Sequence, residues 1–176
     1  MNKKTMKAFT FKRYGKSPGL GIDDVDFPSP GDDEILVKVY AVGLNPIDNM
    51  IPTGMFKRVL HFSLPATLGS DVSGVVVATG RRVTRFKAGD EIFASIFDRG
   101  TGSLAEFVRV PESLAALKPA SLDFVQAASL PMVSLTSWQA LKERANLQAG
   151  QKVFIPAGSG GIGTFAIQLA KHLGAQ

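Results

Sequence analysis

The pattern of apolar and polar positions changes character along the chain. Up to about residue 119, β-branched and aromatic residues come in short runs separated by glycine and proline. The runs at 6–11 and 22–27 predict two strands, followed by a turn at Pro28, Pro30 and Gly31. From 34 to 42, Ile35, Val37, Val39 and Ala41 alternate with Leu36, Lys38 and Tyr40, the period of a half-buried strand. Residues 72–79 are almost all apolar, which predicts a strand covered on both faces, and further strands are predicted at 90–95 and 104–110. Gly69, Gly74, Gly80, Gly89, Gly100 and Gly102 punctuate this region in the manner of the tight turns of a rolled antiparallel barrel.

Past residue 119 the period lengthens. Ser121 is placed to cap a short helix that carries Asp123 in its first turn, with Pro131 as its stop. A second helix is predicted over 134–146, with Leu135, Trp138, Leu141 and Ala145 on one side. Residues 152–155 predict a short buried strand. Ile162, Phe165, Ala166, Leu169, Ala170 and Leu173 then recur at helical spacing, with Lys171 and His172 in the last turn and Gly174 just beyond it. The change of period divides the chain near Leu122, into a β-rich domain over 1–122 and a βα segment over 123–176.

Composition removes several chemistries. Without cysteine among its 176 residues, the chain has no disulfides, thiolate metal ligands or cysteine nucleophile, and a reducing, cytoplasmic location is expected. The uncharged windows at 124–141 and 153–170 are broken by Pro131, Pro156 and glycines, so neither predicts a membrane span, and no membrane partner is expected. The net charge of +5 comes from basic residues scattered singly and in pairs, and nucleic acid is not an expected partner. His61 and His172 stand far apart, so no metal centre is expected, and His172 suits the negative end of a helix dipole. Asp23, Asp24, Asp26, Asp32, Asp33 and Glu34 read as a solvated edge, and Arg81-Arg82 as a charged hairpin tip.

Two segments carry candidate chemistry. Gly158-Ser159-Gly160-Gly161-Ile162-Gly163 satisfies G-x-G-x-x-G between a predicted strand and a predicted helix. Small residues there let the backbone approach a pyrophosphate, whose charge meets free N–H groups at the positive end of the helix. The alternative is a flexible turn between packed elements. Gly43-Leu44-Asn45-Pro46-Ile47-Asp48-Asn49 follows a predicted strand and sets a carboxylate among apolar neighbours; Asn45 and Asp48 are either turn-formers or site residues.

Together with Leu68-Gly69-Ser70-Asp71-Val72-Ser73-Gly74-Val75-Val76, Phe86-Lys87-Ala88-Gly89-Asp90-Glu91, Gly102-Ser103-Leu104-Ala105-Glu106-Phe107, Leu135-Thr136-Ser137-Trp138-Gln139-Ala140-Leu141 and 157–175, these segments resemble the medium-chain dehydrogenase/reductase superfamily. The resemblance is to its zinc-free quinone oxidoreductase branch, the zeta-crystallin-like proteins. It implies a mixed α/β chain, in which a GroES-like β-barrel catalytic domain is followed by the first βα unit of a Rossmann domain. In zinc-dependent members a Cys and a His would stand at Asn45 and Ser70, so the resemblance implies no zinc. It implies NADPH, with NADH not excluded, as hydride donor to a quinone or an enone. Gly158, Ser159, Gly160, Gly161, Ile162 and Gly163 would hold the pyrophosphate, and Pro46 and Thr136 would lie near the cofactor. Asn45 and Asp48 would be the catalytic pair, and Phe56 would stand where some relatives place a substrate-side tyrosine. Complete relatives are about twice this length, so the chain is expected to be a truncated form, active as a full-length chain. The competing expectation is a non-catalytic binding or assembly module. A homodimer is expected to cover the exposed apolar faces of the βα segment.

Overall fold

In the computed structural model, which describes residues 4–176, the strand-forming runs of the first part pair antiparallel throughout. Strands β1 (Thr5–Phe11), β2 (Gly21–Asp26) and β4 (Ala66–Thr67) form one sheet in the order β2-β1-β4. Strands β3 (Glu34–Gly43), β5 (Asp71–Thr79), β6 (Glu91–Ser95), β7 (Phe107–Pro111) and β8 (Ala115–Leu117) form a second, in the order β7-β3-β5-β6-β8. A seam joins the sheets. Phe9 N–H donates to Leu104 O at 2.7 Å, Glu106 N–H donates to Lys7 O at 3.1 Å, and Ala8 bridges Ala105. The expected strand at 104–110 therefore splits into this seam and β7.

Alternation puts Ile35, Val37, Val72, Val76, Ile92 and Val110 into one core. Leu36, placed on the open side by the period, is also buried. Strand β5 is covered only through Val76, and Val77 is 41% exposed. The acidic stretch lies on the solvated surface, as expected, and is also paired there: Asp23 with Lys12, Asp24 with Lys7, Asp32 with Arg81, Asp33 with Arg82 and Glu34 with Arg109. Water screens these surface pairs, and they fix loops more than they add stability.

The structure divides into two units, one ending at Ser129 and the other running from Leu130 to Gln176. Helix α2 (Phe124–Ala128) packs on β3 and β5 and so belongs to the first unit. Its cap is Asp123 rather than Ser121: the Asp123 carboxylate accepts from Gln126 N–H at 2.7 Å while the Gln126 side chain accepts from Asp123 N–H at 3.0 Å.

In the second unit Pro131 begins a helix instead of only ending one. It occupies the first turn of α3 (Pro131–Trp138), where its missing N–H costs nothing. The predicted helix at 134–146 is thus moved forward and finishes in a π-helical turn, Gln139–Arg144. Helix α4 (Gly161–His172) runs as its apolar period predicts, with Gly174 at φ +79° just beyond it. Leu141, Leu147, Ala166 and Ala170 form the unit's core, with Val153 and Ile155 against it.

Residues 152–155 do not form the predicted strand, because an extended run becomes one only beside a neighbour. What they have is the start of a pairing. Gln176 N–H donates to Gln151 O at 2.8 Å and Val153 N–H donates to Gln176 O at 2.9 Å, the slanted pattern of a parallel pair.

Candidate functional site

In the first unit the site grows from the ends of β3 and β5. Gly43, the last residue of β3, pairs with Asp71, the first of β5. A β-carbon on Gly43 would lie 2.3 Å from the Ala128 carbonyl oxygen, so glycine lets α2 close over this end of the sheet. Two residues on, Asn45 turns back, and its Nδ2 donates to Asp71 Oδ2 at 3.1 Å. Asn45 is also the N-cap of the short helix α1 (Pro46–Met50), and its backbone N–H donates to Asp48 Oδ2 at 2.8 Å. Asp48 and Asn45 are therefore brought together, and Asp71 joins them. Asp71 is 1% exposed and stood in the sequence only as one letter of a motif. The signal that could have found it is a carboxylate at the head of a buried strand.

Burial pushes the Asp48 carboxyl above the usual carboxylate range. The N–H groups of Asn45 and, from outside hydrogen-bonding geometry, Gly69 pull it part of the way back. Asp48 Oδ1, Ser70 Oγ and Ser103 Oγ are buried without a hydrogen-bond partner among the described residues. Pro46 is exposed at the mouth of the same turn. Phe56 is turned into an apolar cluster around Phe11, Ile51 and Leu68. Among the described residues no three His, Cys, Asp or Glu side chains gather as a metal group.

In the second unit the glycine-rich turn sits at the N-terminus of α4. Gly160 caps the helix with no side-chain bond, and Gly160 N–H donates to Ala157 O at 3.0 Å. A β-carbon on Gly163 would lie 2.3 Å from Ala157 O and 2.8 Å from Gly158 Cα, so the third glycine of the motif is what lets loop and helix touch. Ala157 itself holds φ +54°. Thr136 is half-buried, and it is its neighbour Ser137 that meets the turn. Ser137 is 1% exposed, and its Oγ lies 2.7 Å from Val133 O and 3.3 Å from Ile162 O. In the sequence Ser137 is only one letter of the motif at 135–141, since a serine on a helix gives no sign of facing inward.

Residues 31–120 match the alcohol dehydrogenase GroES-like domain. The chain is 40% identical to the NADPH-dependent alkenal/one oxidoreductase, chloroplastic, of Arabidopsis thaliana, over 97% of this chain and 45% of that protein. Its structure resembles the quinone oxidoreductase from Coxiella burnetii (TM-score 0.86, 37% identity, 98% of this chain and 55% of that one). It also resembles the Escherichia coli quinone oxidoreductase complexed with NADPH (TM-score 0.84, 29% identity, 97% of this chain and 51% of that one). The chain spans about half the length of the curated relatives it matches. With a GroES-like domain over half of its length, the chain belongs to the medium-chain dehydrogenase/reductase superfamily, and the relatives it matches there are quinone and alkenal oxidoreductases.

Proposed function

We propose that this chain is part of an NADPH-dependent oxidoreductase that reduces quinones or activated C=C bonds by zinc-independent hydride transfer. The observation that carries the reading is the turn at 158–163. Its backbone is brought against α4 by Gly163, and the first N–H groups of the helix are left without a side-chain cap, which is a cradle for a pyrophosphate. The pair of slanted hydrogen bonds between 151–153 and Gln176 supports the start of a parallel βαβ unit around that turn. Gly158, Ser159, Gly160, Gly161, Ile162 and Gly163 hold the pyrophosphate in this reading, with Thr136 and Pro46 beside the cofactor. NADPH, when bound, supplies the hydride.

The first unit supplies orientation and charge stabilisation. Asn45 and Ser70 offer an amide and a hydroxyl where zinc would need thiolate and imidazole, a donor set that suits no zinc site. After bonding Asp71, the Asn45 amide nitrogen keeps a second N–H for the negative charge that develops on the substrate oxygen. Asp48 holds the backbone of Asn45, and Phe56 backs the turn from its apolar cluster. A homodimer and a reducing, cytoplasmic setting complete the reading. Exposed Phe154 (89%) is the apolar face such a dimer would cover.

The test is a titration of this chain with NADPH, NADH and ADP-ribose, read by the fluorescence of Trp138, its single tryptophan. Saturable NADPH binding is expected. Absence of binding at millimolar nucleotide, with the fold intact by circular dichroism, would overturn the reading.

A further inference from the structure

The basic residues that look scattered along the sequence converge in the fold. Segments 11–20 and 49–70 carry Lys12, Arg13, Lys16, Lys57 and Arg58 and contain no Asp or Glu. Removing these five from the 20 Lys and Arg leaves 15 against the 15 Asp and Glu, so the whole excess of +5 belongs to these two segments. The segments lie side by side. Gly15 N–H donates to Pro52 O at 2.9 Å, Tyr14 packs over Gly54, and the Lys57 ammonium lies 5.3 Å from the centre of the Tyr14 ring.

Lys12 is bonded to Asp23 at 2.9 Å. Arg13, Lys16, Lys57 and Arg58 have no acidic partner among the described residues, whereas Lys7, Arg81, Arg82, Arg109 and Lys118 of the same unit each face a carboxylate. The acids that flank segment 49–70, Asp48 and Asp71, are buried, and those after segment 11–20, Asp23 and Asp24, are bonded to Lys12 and Lys7. The same two segments expose Leu20 (51%), Met55 (64%) and Val59 (77%).

Unpaired cations set among exposed aliphatic side chains match one partner best, the boundary between headgroups and acyl chains of an anionic bilayer. A single-stranded nucleic acid would call for open aromatic faces to stack on, and here Tyr14, Phe56 and Phe62 are packed into the cluster around Phe11. We propose that this face docks on an anionic lipid surface, with Arg13, Lys16, Lys57 and Arg58 meeting headgroup phosphates and Met55 and Val59 entering the interface. This is contact with a surface, not a crossing: no helix among the described residues is long and apolar enough to span a membrane. The proposal stands independently of the reductase reading.

Co-sedimentation of this chain with vesicles tests it. The chain is expected to bind vesicles of mixed phosphatidylglycerol and phosphatidylcholine and not phosphatidylcholine alone, with binding weakening as salt shortens the Debye length. Each basic residue near such a surface is worth roughly five-fold in affinity. The double variant Lys57→Ala/Arg58→Ala is therefore expected to bind about 25-fold more weakly, and Arg13→Ala/Lys16→Ala similarly, a second pair on the other loop in case either variant misfolds. Met55→Ser/Val59→Ser is expected to weaken binding at fixed salt. Lys142→Ala/Arg144→Ala removes the same charge elsewhere and is expected to change binding less than two-fold. An equal loss in that last variant would reduce the effect to net charge, and full binding by Met55→Ser/Val59→Ser would remove the interface; either overturns the proposal. So would a short RNA that displaces the vesicles through Lys57 and Arg58.

Discussion

Replacing Gly163 by alanine asks whether the glycine-rich turn depends on close contact between loop and helix. The new β-carbon would lie 2.3 Å from Ala157 O, 2.8 Å from Gly158 Cα and 3.0 Å from the Ala157 carbonyl carbon, all backbone atoms that no rotamer change can move. Restoring ordinary contact requires the loop to retreat by about 1 Å. Overpacking of this kind costs ~1–3 kcal/mol, against ~1 kcal/mol gained from alanine over glycine in a helix. The second unit should therefore lose about 1 kcal/mol. Gly158→Ala is the internal control. Its β-carbon meets only Ile167 Cδ1 at 3.1 Å, the end of a flexible side chain, and a change within ~0.5 kcal/mol is expected. Both substitutions stiffen the unfolded chain alike, so their difference isolates the clash. Urea unfolding followed by Trp138 fluorescence reads the right unit, and NADPH titration reads the function, where a displaced loop should weaken binding by about ten-fold, ~1.4 kcal/mol. A Gly163→Ala protein as stable as Gly158→Ala, or with unchanged NADPH affinity, would refute the reasoning.

Ala157→Gly should act in the opposite sense. The αL conformation at φ +54° costs a residue with a β-carbon ~1–2 kcal/mol, partly offset by the extra freedom of glycine in the unfolded chain, so a gain of about 0.5 kcal/mol is expected in the same urea assay. Asp48→Asn tests the buried carboxyl through pH. Burial raises its folded pKa, so the native chain holds a proton that the unfolded chain releases, and stability falls as pH rises from the ordinary carboxylate range through the raised value. Thermal melts should show the variant gaining on the parent as pH climbs above about 4; a constant difference would show that the charge costs nothing. Asp123→Ala removes the carboxylate that accepts from Gln126 N–H, leaves the backbone N–H of residue 123 bonded to the Gln126 side chain, and should cost about 1 kcal/mol in chemical denaturation of the first unit.

Periodicity was enough for most strands and for α4, because burial on one face leaves a trace every second or every third to fourth residue. It failed where a partner decides the outcome. Residues 152–155 are as apolar as a strand should be, yet a strand is a property of a pair, and among the described residues they have one parallel pairing, to Gln176. Proline breaks a helix interior, so the sequence predicts a stop at Pro131, while the first turn of α3 accepts it. The glycine-rich turn was visible because its chemistry is local in sequence. The Asn45 to Asp71 bond was not, since it spans 26 positions and depends on Gly43 bringing β3 to an end opposite the start of β5. Convergence hid the basic face in the same way: pairs of cations at 12–13 and 57–58 read as ordinary solubility until Tyr14 and Gly54 are seen to touch.

The buried polar atoms of the first unit bear on which part of it is functional. Stability alone favours removing a buried hydroxyl or carboxylate oxygen that has no partner, since each costs ~1–3 kcal/mol. Asp48 Oδ1, Ser70 Oγ and Ser103 Oγ nevertheless persist, and all three surround one short stretch. Ser70 follows Gly69, Ser103 N–H donates to Gly69 O at 3.1 Å, and Asp48 is held by Asn45. Unsatisfied groups scattered at random through a core would mean loose packing. Gathered at the junction of α1 and the head of β5, they surround Asn45, which is left partly open and is the residue that the proposed function uses to meet the substrate oxygen.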